Sequence, residues 1–300
     1  MKKTSHKIIF FGTDNFSLIA LKALVEAGYN IVYVVTKPDS RSGRGQKLTF
    51  PAVKTYALER GIAVLQPQKT VDIAEAIISL KEQPVGILAS YGKIIPASII
   101  KLFQPGIINI HPSLLPVYRG PTPIESAIEN GDAKTGVSIM LLDIGMDSGS
   151  IYDQTEYDLS GTETQPQLYD SLGQLGAQRL ISILPNILDS SLLSKPQNDT
   201  QAVYCNLLSK DNQWLEPTKN SAKKSEQQVR AHLIFPKTKY ELLINNTKMQ
   251  FIITKAHVSD SMASILDIKC ADGKYLSIDE LIAPSGRRIS GKDFLNGYAA

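Results

Sequence analysis

The 300-residue sequence has only two cysteines, Cys205 and Cys270, and their separation matches no metal-binding motif. A chain of this length can bury a core without disulfide bonds, so we expect free thiols in a reducing cytoplasm. No stretch approaches the roughly 20 apolar residues that a membrane-spanning helix needs, and no membrane association is expected. The apolar run that ends at Gly12 lacks a cleavage site of small residues, so it predicts a strand and not a signal peptide.

A strong excess of charge of either sign is also absent, because the formal net charge is only +3. From Leu208 onward, however, Lys and Arg outnumber Asp and Glu by 14 to 10. This mild excess permits a polyanionic partner for the C-terminal part without requiring one.

What is present in the first half is an alternation of short apolar runs with amphipathic stretches. Such an alternation predicts parallel strands joined by crossover helices, because parallel neighbours need long connections. We therefore expect an α/β, Rossmann-like domain with a mostly parallel sheet over residues 1–190. The predicted strands are 7–11, 31–35, 63–65, 86–89 and 107–110, and the predicted helices are 16–26, 53–60, 71–81, 97–103 and 164–184.

The second half has a different organisation. Residues 188–201 are rich in Ser, Asp, Asn and Pro, which is typical of a linker, and we place the linker at 191–207. Paired apolar runs then flank Asn245–Asn246 and Asp272–Gly273, and the Asp-Gly pair is a strong hairpin signal. We predict a small antiparallel β-barrel of the OB-like kind over residues 208–300.

Two segments near the start contain candidate phosphate-binding features. FFGTDNF, residues 10–16, lacks the later glycines of G-x-G-x-x-G, which favours a tight turn over a dinucleotide site. The segment 38–47, PDSRSGRGQK, places Arg41, Arg44 and Lys47 among Gly and Ser. Its composition favours a solvated loop, but it follows a strand at the carboxyl edge of the predicted sheet. Its cations could alternatively reach the phosphates of a substrate.

The segment 107–120, IINIHPSLLPVYRG, places Asn109 and His111 two residues apart where a strand should end. The period of a strand directs both side chains to one face, at the edge where doubly wound sheets bind ligands. They are either a hydrogen-bonded structural pair or a catalytic pair. Residues 131–151 add Asp143 and Asp147 in a Gly-rich stretch. An Asp beside His111 would stabilise an imidazolium able to donate a proton, while the Asn109 amide could donate to an oxyanion.

This set contains no Ser or Cys nucleophile, which suits acyl transfer to a nucleophile that the substrate supplies. At these residues the chain resembles the folate-dependent formyltransferases, through NIHPSLLPVYRG (109–120) and LLDIGMDSG (141–149). FFGTDNF, the 37–54 loop, SYGKIIP (90–96) and a β-domain after a linker resemble the members that act on methionyl-tRNA. One departure is Asp14, where the family usually has proline.

The resemblance implies transfer of a formyl group from 10-formyltetrahydrofolate to the α-amino group of methionyl initiator tRNA. It assigns catalysis to Asn109, His111 and Asp147 and implies no metal. Further expectations concern the substrates and the oligomeric state. The folate pocket would be lined by Ser113, Leu114, Leu115, Pro116, Tyr91, Ile94 and Ile95. The residues that contact the methionyl-tRNA would be Phe16, Arg44 and Lys47. The protein would be a monomer.

Two other interpretations stay open at this point. A formyltransferase acting on an amino-sugar nucleotide would share the same three catalytic residues, although the basic loop (residues 38–47) and the β-domain (residues 208–300) favour tRNA. The second interpretation is a non-catalytic tRNA-binding protein on an enzyme-derived fold. The presence of all three residues, Asn109, His111 and Asp147, argues against it. A folate-binding assay distinguishes that protein from an enzyme.

Overall fold

The computed structural model describes residues 6–42, 47–244 and 247–298. At Ser42 and Lys47 it describes the backbone alone. The elements of the first two thirds are β1 (Lys7–Gly12), α1 (Asn15–Glu26), β2 (Asn30–Val35), β3 (Ser40–Ser42), β4 (Lys47–Thr49), α2 (Ala52–Glu59), β5 (Ala63–Leu65), α3 (Ala74–Ile78), β6 (Val85–Ala89), α4 (Ala97–Ile100), β7 (Ile107–His111), α5 (Pro123–Asn130), β8 (Lys134–Leu141), β9 (Ile151–Asp158) and α6 (Gln165–Leu188). The remaining elements are α7 (Ala222–Ala231), β10 (Lys239–Ile244), β11 (Thr247–Ser259), β12 (Ile268–Lys269), β13 (Tyr275–Ile282), β14 (Arg288–Ser290) and α8 (Gly291–Tyr298). In the described ranges, no helix has the length and apolar character needed to cross a bilayer.

The chain divides into two compact units. The first comprises Met1–Pro121, Thr135–Tyr157 and Tyr169–Tyr204, and the second comprises Thr122–Lys134, Asp158–Leu168 and Cys205–Ala300. The second unit thus takes in α5 in addition to the C-terminal β-strands. The division predicted from the sequence, 1–190 and 208–300 with a linker at 191–207, stays a prediction about functional domains.

The first unit is built on a seven-stranded sheet with the order β5-β2-β1-β6-β7-β8-β9. The pairs from β5 to β7 are parallel, whereas β7 and β8 are antiparallel, so the expected Rossmann-like, mostly parallel sheet is confirmed. The chain leaves β1 toward β2 and later returns to β6 on the other side of β1. This reversal opens a crevice at the carboxyl ends of β1 and β6, where doubly wound sheets bind ligands.

The core of this sheet is built from the apolar runs of the sequence. Ile9, Phe11 and Ile107 are buried in one cluster with residues of the helical segments, and Phe103 packs edge-on against Phe11 with ring centroids 5.7 Å apart. Full burial of such a side chain contributes roughly 1.5–3 kcal/mol. The parallel strands are therefore held rigidly, and their carboxyl ends provide a fixed platform for the polar residues that follow.

Asp14, the departure from the family pattern, begins helix α1 as its N-cap. The Asp14 carboxylate accepts hydrogen bonds from the Ser17 backbone N–H at 3.1 Å and from the Ser90 hydroxyl. An aspartate satisfies an otherwise unpaired N–H at a helix start and favours the positive end of the helix dipole. The substitution therefore preserves the turn between β1 and α1 and ties it to the segment after β6.

The second unit contains a five-stranded antiparallel sheet with the order β10-β11-β13-β12, in which β14 also pairs with β13. Shifts of register near Lys255, between β11 and β13, mark the irregularity that lets such a sheet curl into a half-barrel. The sheet is confirmed as antiparallel and OB-like. The Asp272–Gly273 turn joins β12 to β13 as predicted, while Asn245–Asn246 lies outside the described residues.

Helix α7 was not predicted, because its sequence AKKSEQQVRA is too polar to give a visible apolar stripe. It begins at the N-cap Ser221, and its small residues Ala222 and Ala231 are fully buried. It packs against α5 in the same unit, where Lys224 Nζ donates to the Glu129 carbonyl at 2.7 Å. The predicted helix at 71–81 also differs, since it is a 3₁₀ turn at Thr70–Ile73 followed by the short α3.

Candidate active site

Asn109 and His111 lie on β7, and both side chains are almost completely buried, at 4% and 5% exposure. Within the described part of the chain, no hydrogen bond reaches the Asn109 side-chain amide. Among the described residues, the Asn109 amide is not one of the unpaired polar atoms sealed from solvent, so it keeps a donor and an acceptor that a ligand can reach.

One ring nitrogen of His111 is committed to the main chain. Its Nε2 lies 2.9 Å from the carbonyl oxygen of Tyr118, and because a carbonyl only accepts, Nε2 carries the hydrogen. In the neutral ring Nδ1 then carries no hydrogen and is an acceptor. It faces Asp147, whose Oδ2 lies 3.8 Å away. A proton on Nδ1 would therefore be stabilised by the carboxylate.

Asp147 reaches this position through the connection between β8 and β9. Leu142 N donates to the Ile107 carbonyl at 2.7 Å, so the connection starts beside the amino end of β7 and returns toward His111. Gly149 completes the return, where any Cβ would collide with the Leu141 carbonyl oxygen. Asp147 itself adopts a φ of 49°, in the left-handed region that non-glycine residues rarely occupy.

Asp147 is held by two hydrogen bonds from outside its own connection. The Gly120 N–H donates to Oδ2 at 2.8 Å, and the Gln197 side-chain amide donates to the Asp147 carbonyl at 2.8 Å. The same Gln197 amide donates to the Gly149 carbonyl at 2.7 Å. Side chain and backbone of the strained residue are therefore both fixed.

The SLLP segment forms a tight turn against β8. The Ser113 hydroxyl donates to the Val117 carbonyl at 2.6 Å, and the Ser138 hydroxyl donates to the Ser113 carbonyl at 2.7 Å. Ser113 and Leu115 are buried, and Leu114 packs over Gly136. Pro116 accepts the Val203 N–H at 3.1 Å. The segment is thus rigid, and its role in lining a folate pocket stays a prediction.

The three residues after β6 that were predicted to line the folate pocket differ in their burial. Tyr91 is buried against Phe11, burial raises the pKa of its hydroxyl, and its carbonyl accepts the Thr13 hydroxyl at 2.9 Å. Ile95 is also buried, whereas Ile94 is 89% exposed. Only Ile94 presents its side chain to solvent, so a contact of Tyr91 or Ile95 with folate would have to be made by the backbone.

Of the three residues predicted to contact the tRNA, the structure describes the side chain of Phe16. Phe16 is buried in α1 and packs edge-on against Tyr169, with ring centroids 6.3 Å apart. Arg44 and the Lys47 side chain lie outside the described residues. All three assignments stay predictions.

The sequence analysis missed four residues that surround the pair of His111 and Asp147. Tyr118, Arg119 and Gly120 end the NIHPSLLPVYRG stretch, but the sequence analysis assigned them no role. The fourth, Gln197, lies in the segment interpreted as a linker, where composition gives no sign of a defined partner. The contacts of Tyr118, Gly120 and Gln197 with His111 and Asp147 each have a backbone atom on one side, and sequence patterns do not reveal such contacts.

The arrangement defines a class of protein. A buried amide donor and an imidazole paired with a carboxylate can stabilise an oxyanion and transfer a proton, as acyl transfer requires. Residues 6–184 match the model of the family described as formyl transferase. The chain belongs to this family.

Two relatives resemble the chain over nearly its whole length. Methionyl-tRNA formyltransferase from Ruminiclostridium cellulolyticum is 36% identical over 305 residues, covering 97% of this chain and 96% of the relative. Methionyl-tRNA formyltransferase from Neisseria meningitidis serogroup A is 37% identical over 300 residues, covering 97% of both. Among solved structures, an N-formyltransferase from Helicobacter canadensis, in complex with folinic acid and dTDP-3-aminofucose, is similar in fold. Its TM-score is 0.66 at 20% identity, over 91% of this chain and 98% of that one.

Proposed function

We propose that this chain transfers the formyl group of 10-formyltetrahydrofolate to the α-amino group of methionyl initiator tRNA, and so supports translation initiation. The observation that carries the proposal is the grouping of an unpartnered Asn109 amide with His111 and Asp147. It is supported by relatives of that name that match almost the full length of the chain. The proposed enzyme works as a cytoplasmic monomer.

The three residues divide the chemistry between them. The α-amine of the methionyl ester attacks the formyl carbon, and the bond from that carbon to the folate nitrogen breaks. The Asn109 N–H donates to the oxygen on which negative charge develops. The His111 imidazole moves the proton from the attacking amine toward the departing nitrogen, and Asp147 stabilises the ring while it is charged. No side chain forms a covalent intermediate, because the substrate amine is the nucleophile.

Folate is proposed to bind along the segments 113–116 and 91–95. The Asn109 amide fits the formyl oxygen of this donor, since no hydrogen bond from the described residues occupies its N–H. Burial of Ser113 and Leu115 and the internal hydrogen bonds of their turn support a preformed pocket wall. The exposed Ile94 side chain is available to cover an apolar part of the ligand.

The tRNA is proposed to be held by the basic loop and by residues 208–300, while Phe16 would shape the pocket for the methionine side chain. Arg44 and Lys47 would contact the acceptor end. The excess of Lys and Arg after Leu208 supports electrostatic binding of the RNA backbone by the β-domain.

An amino-sugar nucleotide is the second candidate acceptor, because the Helicobacter canadensis enzyme of similar fold was solved with dTDP-3-aminofucose. That likeness rests on 20% identity, well below that of the relatives named for methionyl-tRNA. A small acceptor should not need residues 208–300, so a deletion of this segment could in principle distinguish the two acceptors. The deletion is not a clean test, however, because it removes α7 from its packing against α5 in the second unit.

The direct test offers both acceptors to the intact protein with 10-formyltetrahydrofolate as donor. We expect formylation of methionyl initiator tRNA, and an amino-sugar nucleotide at the same concentration should react far more slowly. Uncharged initiator tRNA is the control, since it presents the same phosphates without the amine. Preferential formylation of the sugar would replace the proposal, and folate binding without transfer to either acceptor would also reject it.

A further inference from the structure

Arg119 is a buried cation outside the three proposed catalytic residues. Its side chain is 2% exposed, and the guanidinium donates to Gln197 Oε1 from both Nε (3.0 Å) and Nη2 (2.8 Å). Nη2 also donates to Asp199 Oδ1 at 2.7 Å, and Nη1 donates to the Tyr204 hydroxyl at 3.3 Å. Burial opposes its charge, but the bonds to Asp199 and Tyr204 outweigh burial, so its pKa is raised and the cation is retained.

The position of Arg119 in the chain connects it to both halves of the proton-transfer pair. The preceding residue, Tyr118, accepts the His111 Nε2–H, and the following residue, Gly120, donates to Asp147 Oδ2. The Arg119 backbone N–H is itself tied to the Val203 carbonyl at 2.8 Å. Any shift of Arg119 therefore moves a partner of His111 and a partner of Asp147 together.

The second connection runs through the side chain of Gln197. Because Oε1 accepts two hydrogen bonds from Arg119, the amide nitrogen is oriented toward the Asp147 and Gly149 carbonyls. These bonds hold Asp147 in its left-handed conformation, which a non-glycine residue keeps only when its surroundings enforce it. Arg119 is thus connected to the Asp147 carboxylate through Gly120 and to the Asp147 backbone through Gln197.

We propose that Arg119 and Gln197 are positioning residues of the active site, which set the distance between His111 and Asp147. The segment 195–204 then belongs to the catalytic machinery and does not serve only as a linker. The inference rests on the proposed function, because the reaction whose rate it predicts is formyl transfer. Hydrogen-bond partners of this kind, and displacements of about 1 Å, change turnover by roughly 10–100-fold.

The test is a double-mutant cycle between Arg119→Met and Asp147→Asn, measured as kcat for formyl transfer. Arg119→Met alone should lower kcat by roughly 10–100-fold, with KM for folate and tRNA close to the wild-type values. In the Asp147→Asn background it should cost little more, since both changes remove the same interaction. If the reduction in kcat of the double variant equals the product of the two single reductions, Arg119 has a general structural role and the proposal is overturned.

Two further variants keep the test valid if Arg119→Met does not fold. Gln197→Glu retains an acceptor for Arg119 but loses both donors to the Asp147 and Gly149 carbonyls, so kcat should fall while the melting temperature is kept. Arg179→Met is the matched control, because it breaks the pair of Arg179 with Asp153 in the same unit (Nε to Oδ2, 2.5 Å). Its kcat should stay at the wild-type value. Wild-type kcat for Gln197→Glu would overturn the proposal.

A readout independent of turnover separates this inference from the proposed function. The backbone amide resonances of 147–149 and the ring nitrogens of His111 should shift in Gln197→Glu but not in Arg179→Met. If the wild type formylates no acceptor and the resonances shift, the proposed function is wrong and the positioning inference stands. Unchanged resonances, with or without formyl transfer, would reject the inference.

Discussion

His111 Nδ1 and Asp147 Oδ2 lie 3.8 Å apart, while Nε2 of the same ring donates to the Tyr118 carbonyl. This separation is longer than a hydrogen bond, so the carboxylate and the ring are neighbours without a direct bond. A proton that arrives at Nδ1 would bring the two groups together. The sequence predicts a separation of ~2.6–3.2 Å, or one bridging water, between these two residues, and the observed 3.8 Å lies beyond direct hydrogen-bond contact, so the prediction of a working pair stays a prediction.

Asn109→Ala should lower turnover on the order of 10²–10³, because it removes one donor to the developing oxyanion. Folate affinity should change little, since the interaction strengthens only as the transition state forms. The comparison is single-turnover transfer beside a folate titration. An unchanged rate would mean that the Asn109 amide is structural.

Asp147→Asn should preserve the local fold, because asparagine tolerates the left-handed conformation and its oxygen can still accept from Gly120. Turnover should nevertheless fall by roughly 10²–10⁴, since the charge that stabilises imidazolium is lost. Asp143→Asn is the matched control in the same connection, where the exposed Asp143 carboxylate accepts from the backbone N–H of its neighbour Ile144 at 2.7 Å. Equal kinetics for the two variants would contradict the role of Asp147.

Arg44→Ala should leave folding and folate binding nearly intact while strongly lowering transfer to methionyl-tRNA. The physical reason is that a contact remote from the reacting atoms would orient the amine, so its loss affects turnover as well as affinity. Steady-state kinetics across a salt series measure both effects. Wild-type kinetics for this variant would contradict the contact and favour a solvated surface loop without a role in catalysis.

Lys47→Ala should act mainly through tRNA affinity. Loss of one phosphate contact makes the dependence of binding on salt shallower by about one unit of slope. The measurement is the tRNA dissociation constant at several salt concentrations, with folate affinity as the internal control. A slope equal to that of the wild type would remove Lys47 from the interface.

Gly149→Ala should destabilise the protein by about 1–3 kcal/mol, because its Cβ would collide with the Leu141 carbonyl oxygen. It should also lower turnover by displacing the peptide that Gln197 holds beside Asp147. Gly297→Ala is the control, since nothing lies within 4 Å of an added Cβ there and alanine favours the helix. Denaturant unfolding and transfer rates of both variants provide the comparison, and equal stability would contradict the crowding at Gly149.

The fold was largely predictable because apolar periodicity decides which residues are buried. The strands that carry Ile9 and Ile107 were located within a residue or two, and the Asp272–Gly273 turn fixed a hairpin. Helix α7 was not predictable, because small and polar residues form its buried face and only tertiary packing against α5 reveals it.

The site was predictable only where side chains carry the chemistry. Asn109 and His111 could be selected from their place at a strand end, whereas the Gly-rich stretch left both Asp143 and Asp147 open and the family resemblance selected Asp147. Asp147 is held instead by the backbone N–H of Gly120, which donates to its carboxylate, and by the Gln197 amide, which donates to its backbone carbonyl. Any residue has such backbone groups, so the sequence gives no sign of them.

The most direct test of the account is single-turnover formation of formylmethionyl-tRNA from 10-formyltetrahydrofolate, with the wild type and His111→Gln measured side by side. Glutamine keeps a donor for the Tyr118 carbonyl but cannot transfer a proton. We predict rapid formation by the wild type and a rate lower by at least about 10² for His111→Gln, with folate affinity unchanged. Equal rates for the two proteins, or no product from well-folded wild type, would contradict the account.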